Sequence, residues 1–220
     1  MSDEVVVVTG AGGMGKVIAR RQGIGKTLVI ADYNEHALRA VVDELKTDGH
    51  NVIGHRVDVS SRESVSGLAA VAAELGRITQ VAHTAGLSPA QAPAQAILAV
   101  DLVGVALVLE EFGNVVSSGG AGVVIASMAG HMPMELSAEQ ERELAGTGAE
   151  DLLALPYVQS IEYPAVAYQL SKRANHIRVR ALAGNGVRAA PGSTRSARGW
   201  CPPRWDIRNS PRRPVPSPRP

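Results

Sequence analysis

A chain of 220 residues that is 45% hydrophobic yet only 3% aromatic has the length for one α/β domain with a core of Val, Ala, Leu and Ile, and no room for a second full domain. Its single cysteine, Cys201, excludes an intrachain disulfide framework, and the opening MSDEVVVVTG, with two acids and a four-residue apolar run, fits neither a signal peptide nor a membrane span, so a soluble cytoplasmic protein is expected. The net charge of +1 averages two unlike stretches: Met1 to Gly184 hold fourteen Lys and Arg against twenty acids, whereas Asn185 to Pro220 hold eight Arg, no Lys and one acid, Asp206.

Along the chain, short apolar runs alternate with helix-like stretches. Strands are predicted at VVVV (5–8), TLVIA (27–31), NVIGHRVDV (51–59), ITQVAH (78–83) and GVVIAS (122–127), and helices over 14–22, 34–48, 61–75, 92–112 and 165–183. Strands fed through helices are βαβ units, whose crossovers force parallel pairing with both faces covered. The fold class is therefore α/β, a Rossmann-like doubly wound parallel sheet, in a single domain over 1–184. The fourth helix contains AILAVDLVGVALVLEEF, apolar almost all round; Asp101 inside it and two Glu near its end make it a buried helix and not a membrane one. Between 131 and 164 the pattern weakens into an acidic insertion with short helices of its own.

Gly10, Gly12 and Gly15 form GxGxxG between the first strand and the first helix. The first glycine permits a tight turn, the second lets backbone approach a pyrophosphate, and the third lets helix and strand pack closely, so the helix N-terminus faces the phosphates. The second strand runs into Asp32, at about the spacing of 20 residues where an acid accepts hydrogen bonds from the adenosine ribose. A carboxylate there repels a 2′-phosphate, which favours NAD over NADP.

In AYQLSKRANHIRVRALA, Tyr168 and Lys172 lie four apart and share one helix face, with Ala167, Leu170, Ala174, Ile177 and Ala181 marking the buried side. A tyrosine whose ordinary pKa is about 10 is a poor acid-base at neutral pH, but a neighbouring ammonium stabilises its phenolate. Ser127, at the C-terminal end of the last predicted strand, supplies a hydroxyl for a carbonyl or alcohol oxygen at the sheet edge where ligands bind. The six histidines are scattered without ligand spacing, so no metal is expected.

From about Val5 to Gly184 the sequence resembles the short-chain dehydrogenase/reductase family, and within it the hydroxysteroid dehydrogenases and carbonyl reductases. The features that carry the resemblance occur in order: TGAGGMG with Gly10, Gly12, Gly13, Met14 and Gly15; Asp32; VDV with Asp58 and Val59; HTAG with Thr84, Ala85 and Gly86; Ser127 before MAG; and Tyr168 with Lys172. The resemblance implies that the glycine loop binds the cofactor, Asp58 and Val59 lie beside the adenine, and Thr84 to Gly86 continue the cofactor site. It implies Tyr168 as general acid-base, Lys172 as its activator and holder of the nicotinamide ribose, and Ser127 as the group that orients substrate. In the oxidative direction the Tyr168 phenolate takes the hydroxyl proton while hydride moves from carbon to NAD. Three departures stand out. The loop is one residue shorter than TGxxxGxG. Asp101 stands where the family has an Asn that serves a water relay to the lysine, a task its backbone carbonyl can perform. Ser127 and Tyr168 are separated by the 131–164 insertion, which reads as a substrate-side cap or a dimer contact, or else as a solvated excursion without a role.

The expected partner is a small-molecule alcohol or ketone, with no specific nucleic acid, no membrane, and a homo-oligomer if the C-terminus is intact. Two readings compete: a nucleic-acid-binding protein that uses the Arg-rich tail, and an NAD sensor without turnover, against which the intact Ser127, Tyr168 and Lys172 argue. Residues 185–220 contain both tryptophans, the cysteine and eight of the thirteen prolines. We read them as the product of a one-nucleotide frame change near Gly184. Back-translation of Gly184 to Asp206 in a shifted frame permits EWGEGGARINSISPGVVSTPMG, with the strand and Pro-Gly that the family places there. On that reading the last strands are missing or disordered, and the chain is expected to be poorly stable and inactive as written.

Overall fold

The four valines of Val5–Val8 divide between two cores. Alternate residues of a strand face opposite sides of a sheet, and Val5 and Val7 enter one cluster while Val6 and Val8 enter the other. In the computed structural model, which describes residues 3–188, these valines belong to the central strand β1 (Glu4–Thr9) of a five-stranded parallel sheet. The others are β2 (Thr27–Asp32), β3 (Asn51–Arg56), β4 (Arg77–His83) and β5 (Ala121–Val124), in the order β3-β2-β1-β4-β5. Chain order reverses between β1 and β4, and ligands of such sheets bind at the strands' C-terminal ends there.

One face carries α1 (Gly13–Gln22) and α2 (Glu35–Thr47), through Ala19, Leu38, Val42 and Leu45. The other face is the larger core, with α3 (Arg62–Glu74), the helices that follow β4, and α8 (Pro164–Arg188). Asn34 and Ser61 cap α2 and α3 by accepting the N–H groups of Ala37 and Ser64.

Three predicted elements differ in detail. The third strand ends at Arg56, because Asp58 folds its carboxylate onto the Ser60 N–H (2.9 Å) and turns the chain toward α3. The fifth stops at Val124 and leaves Ser127 in the turn beyond it. The single helix expected over 92–112 is composite: α4 (Ala94–Ile97), a π-helical turn at Leu98–Val103, and α5 (Gly104–Val115). The Gly104 N–H reaches five residues back to the Ala99 carbonyl, and a Cβ on Gly104 would stand 3.0 Å from the Val59 side chain. As expected, α5 is buried nearly all round.

The stretch between β5 and α8 holds a 3-10 turn (Met128–His131), α6 (Ala138–Gly146), a second 3-10 segment (Ala149–Ala154) and α7 (Pro156–Gln159). A capping box of Ser137 and Gln140 starts α6. Leu144, Ala149, Leu152 and Val158 are buried in the larger core. The Arg178 guanidinium donates to the carbonyls of Leu144 (3.0 Å) and Thr147 (2.8 Å) and to Glu110 (3.1 Å), which ties α6 to α8 and α5.

Among the described residues no strand pairs with the outer edge of β5, and no helix is long and apolar enough to cross a membrane. Helix α8 passes the expected boundary at Gly184. The rest of the predicted tail, with Cys201 and the frame-change reading, lies outside the described residues.

Candidate active site

The glycine loop turns where its sequence predicts. Gly10 has φ +93°, a conformation that disfavours any side chain, and a Cβ there would lie 2.6 Å from the Ala85 nitrogen and from Thr84 Oγ1. Gly15 packs against the Gly10 carbonyl, with only 1.8 Å left for a Cβ. Gly12 and Gly13 behave differently, since nothing lies within 4 Å of a Cβ built on either. Folding alone does not require glycine at those two positions. A ligand that approaches the backbone does. Gly12 is the N-cap of α1, makes no side-chain cap, and is followed by no acid in the first turn, so the N–H groups there suit an anion.

The loop borders a cleft of about 550 Å³ at the reversal of strand order. Of the residues predicted for cofactor binding, Gly10, Gly12, Asp32, Asp58, Val59, Thr84, Ala85 and Gly86 line it. Gly13, Met14, Gly15, Tyr168 and Lys172 do not, and Met14 is largely exposed on α1. The Asp32 carboxylate is fixed by the N–H groups of Ala11 (2.7 Å) and Asn34 (2.8 Å). Thr84 Oγ1 donates to the carbonyls of Thr9 (2.8 Å) and Gly10 (3.0 Å), which binds the end of β4 to the glycine loop. Tyr33, Leu87, Ala99 and Val100 also line the cleft and had no signal in the sequence. The last two are placed by the π turn.

Behind Gly86 and Leu87 of the cleft wall lies a buried ion pair. Lys172 Nζ stands 2.8 Å from Asp101 Oδ2, the two side chains being 5% and 0% exposed. Asp101 Oδ1 accepts the Leu87 N–H at 2.7 Å. Burial pushes the Asp101 carboxyl up from the usual carboxylate range, against the opposing pull of the Lys172 ammonium. Lys172 Nζ also lies 5.2 Å from the centre of the Tyr168 ring, so the four-residue spacing on α8 places the two on one face as predicted. Gly86 joins cleft and pair, because a Cβ there would meet the Asp101 carboxylate at 3.3 Å and Lys172 Nζ at 3.4 Å. The Asp101 backbone carbonyl, expected to serve a relay, accepts from the Asn175 amide nitrogen (3.1 Å), which also donates to the Ser171 carbonyl (3.0 Å).

Ser127 is extended and caps the 3-10 turn by accepting the Ala129 N–H at 3.2 Å. That turn is pressed on α8 at Gly130, where a Cβ would lie 2.7 Å from the Lys172 carbonyl oxygen. His83, the first residue of HTAG, is buried with Nδ1 2.6 Å from Thr9 Oγ1, and its pKa is pushed down to about 3 by burial and by the charge of Lys172. Among the described residues no group of three or more His, Cys, Asp or Glu could hold a metal ion.

Known proteins resemble the chain in sequence and in fold. The sequence model of the short chain dehydrogenase family matches residues 4–139. A short-chain dehydrogenase/reductase of Alternaria brassicicola, bsc3, is 37% identical over 182 residues, which are 82% of this chain and 66% of that protein. A short-chain dehydrogenase/reductase from Burkholderia phymatum, solved in complex with NAD, superposes with a TM-score of 0.63 at 26% identity, over 84% of this chain and 61% of that one. A metagenomic short-chain oxidoreductase solved in complex with NADP superposes with a TM-score of 0.61 at 25% identity, over 83% and 76%. The chain thus spans just under two thirds of the Alternaria and Burkholderia proteins.

Proposed function

The chain belongs to the short-chain dehydrogenase/reductase family of oxidoreductases, and we propose that it interconverts a secondary alcohol and a ketone with NAD(H). The observation that carries this reading is Gly86, which lines the cleft and where a Cβ would come within 3.4 Å of the buried Lys172 Nζ, beside Tyr168.

The residues present fit the cofactor. The open Gly12 and Gly13 and the uncapped start of α1, with the turn of Gly10, would take the pyrophosphate. Asp32 would accept the adenosine ribose hydroxyls, Asp58 and Val59 would flank the adenine, Thr84 to Gly86 would line the middle, and Tyr168 and Lys172 would hold the nicotinamide ribose. A bound nicotinamide supplies the hydride-accepting and hydride-donating chemistry of such a reaction. The preference for NAD rests on Asp32, whose carboxylate is held by two backbone N–H groups and stands where a 2′-phosphate would be repelled.

In the oxidative direction the Tyr168 phenolate removes the proton from the substrate hydroxyl, and in the reductive direction the phenol returns it to the carbonyl oxygen. The Lys172 ammonium stands 5.2 Å from the centre of the Tyr168 ring. Ser127 Oγ donates to the substrate oxygen and steadies its charge as the carbon changes oxidation state.

Tyr168→Phe keeps the ring and removes the hydroxyl. In a form of the protein that turns over, oxidation of secondary alcohols is expected to fall by at least about a hundredfold, with NADH affinity nearly unchanged by titration calorimetry. Retained turnover would remove Tyr168 from this role.

A further inference from the structure

The Asp101–Lys172 pair does more than fill space. Where the resemblance has an uncharged Asn, this chain has a carboxylate, and both members of the pair are almost wholly out of water. Each is therefore the other's counter-ion, with little solvent to screen them. The Leu87 N–H holds Oδ1, whereas Oδ2 faces the Lys172 ammonium as an ion pair and has no hydrogen bond of its own among the described residues. A lone ammonium 5.2 Å from the Tyr168 ring would favour the phenolate with its full charge. An ammonium with a carboxylate at 2.8 Å presents a dipole, whose field falls off faster with distance.

We propose that Asp101 is a positioning residue that takes up the charge of Lys172 and thereby sets the pH range over which Tyr168 exchanges a proton. The inference rests on the oxidoreductase reading of the site. The other groups around the pair leave this role to Asp101. His83, facing from β4, is neutral because its pKa is pushed down to about 3. Further along α8, His176 stacks on His131 of the 3-10 turn, with ring centres 4.4 Å apart, and Arg173 is engaged by Glu141 of α6 at 3.0 Å. Asn175 carries no charge and is held by the carbonyls of Asp101 and Ser171.

The test uses the full chain labelled with carbon-13 at the tyrosine ring Cζ. The Tyr168 signal is assigned by its loss in Tyr168→Phe and followed against pH. Asp101→Asn keeps an acceptor for the Leu87 N–H and removes the charge; Asp101→Ser does the same with less bulk. In either variant the midpoint of the Tyr168 titration is expected to fall by roughly one pH unit relative to the unsubstituted chain. Where alcohol oxidation is measured, the acid limb of its pH–rate profile moves down with it. An unchanged or higher midpoint in a folded variant overturns the proposal, as does failure of both variants to fold by circular dichroism, which would make the pair structural. Absence of turnover leaves the titration readable and counts against the oxidoreductase reading alone.

Discussion

His83 shows how much one side chain at this site costs when its surroundings change. In the unfolded chain its imidazole takes a proton near pH 6.5, whereas in the fold burial and the Lys172 charge hold it to about 3. Between those values the unfolded chain binds more protons, so stability is fully present above pH 6.5 and falls as the pH drops toward 3. The loss over that window is on the order of a few kcal/mol. His83→Asn keeps a partner for Thr9 and does not titrate. Urea unfolding across this window is expected to show a clearly shallower acid loss in the variant than in the unsubstituted chain; matching slopes would remove His83 from the account. Nothing in HTAG announced this. The glycines and Asp32 were legible because their reasons are local: a positive φ, a close approach, the end of a strand. The Thr9–His83 contact and the Asp101–Lys172 pair join residues 74 and 71 positions apart. They depend on which elements become neighbours, and one sequence does not state that.

Among the elements, the π turn and the insertion carry the lesson. The apolar pattern over 92–112 located a buried helix, but the extra residue at Leu98–Val103 leaves the same apolar run and shifts only its phase. That phase brings Ala99 and Val100 to the cleft and Asp101 to Lys172. The insertion was legible as a separate stretch with short helices, but its apolar residues, scattered without a regular period, did not say where it packs. Arg178 fixes it. Its guanidinium meets two carbonyls at the end of α6 and the Glu110 carboxylate of α5, and it is only 6% exposed. Arg178→Met removes these bonds and leaves the carbonyls buried without a donor, at a cost of roughly 2–3 kcal/mol. The drop is read from urea unfolding, and limited proteolysis should open first between Ser137 and Ser160. An unchanged midpoint with protected insertion would mean that apolar packing alone holds it.

Across the whole molecule, the sheet order and the two cores follow from alternation of strands and helices that the sequence displays plainly. The cleft lies where that order predicts, at the reversal between β1 and β4. One end of the sheet is β5. The outer edge of that strand has no partner among the described residues, and a groove of about 430 Å³ runs beside it, lined by Val123, Gly130, His176 and Arg180 among others. An open parallel edge is a liability for any sheet. The glycine loop, Asp32 and the Tyr168–Lys172 pair are nevertheless assembled by residues 4–188. The central claim, that this assembly binds a nicotinamide dinucleotide and chooses NAD through Asp32, is tested most directly by calorimetric titration of the full chain with NADH and with NADPH. The account predicts that NADH binds at least about tenfold more tightly, a difference of about 1.4 kcal/mol, and that Asp32→Ala narrows the gap; equal affinities, or no binding of either dinucleotide by the folded chain, would contradict it.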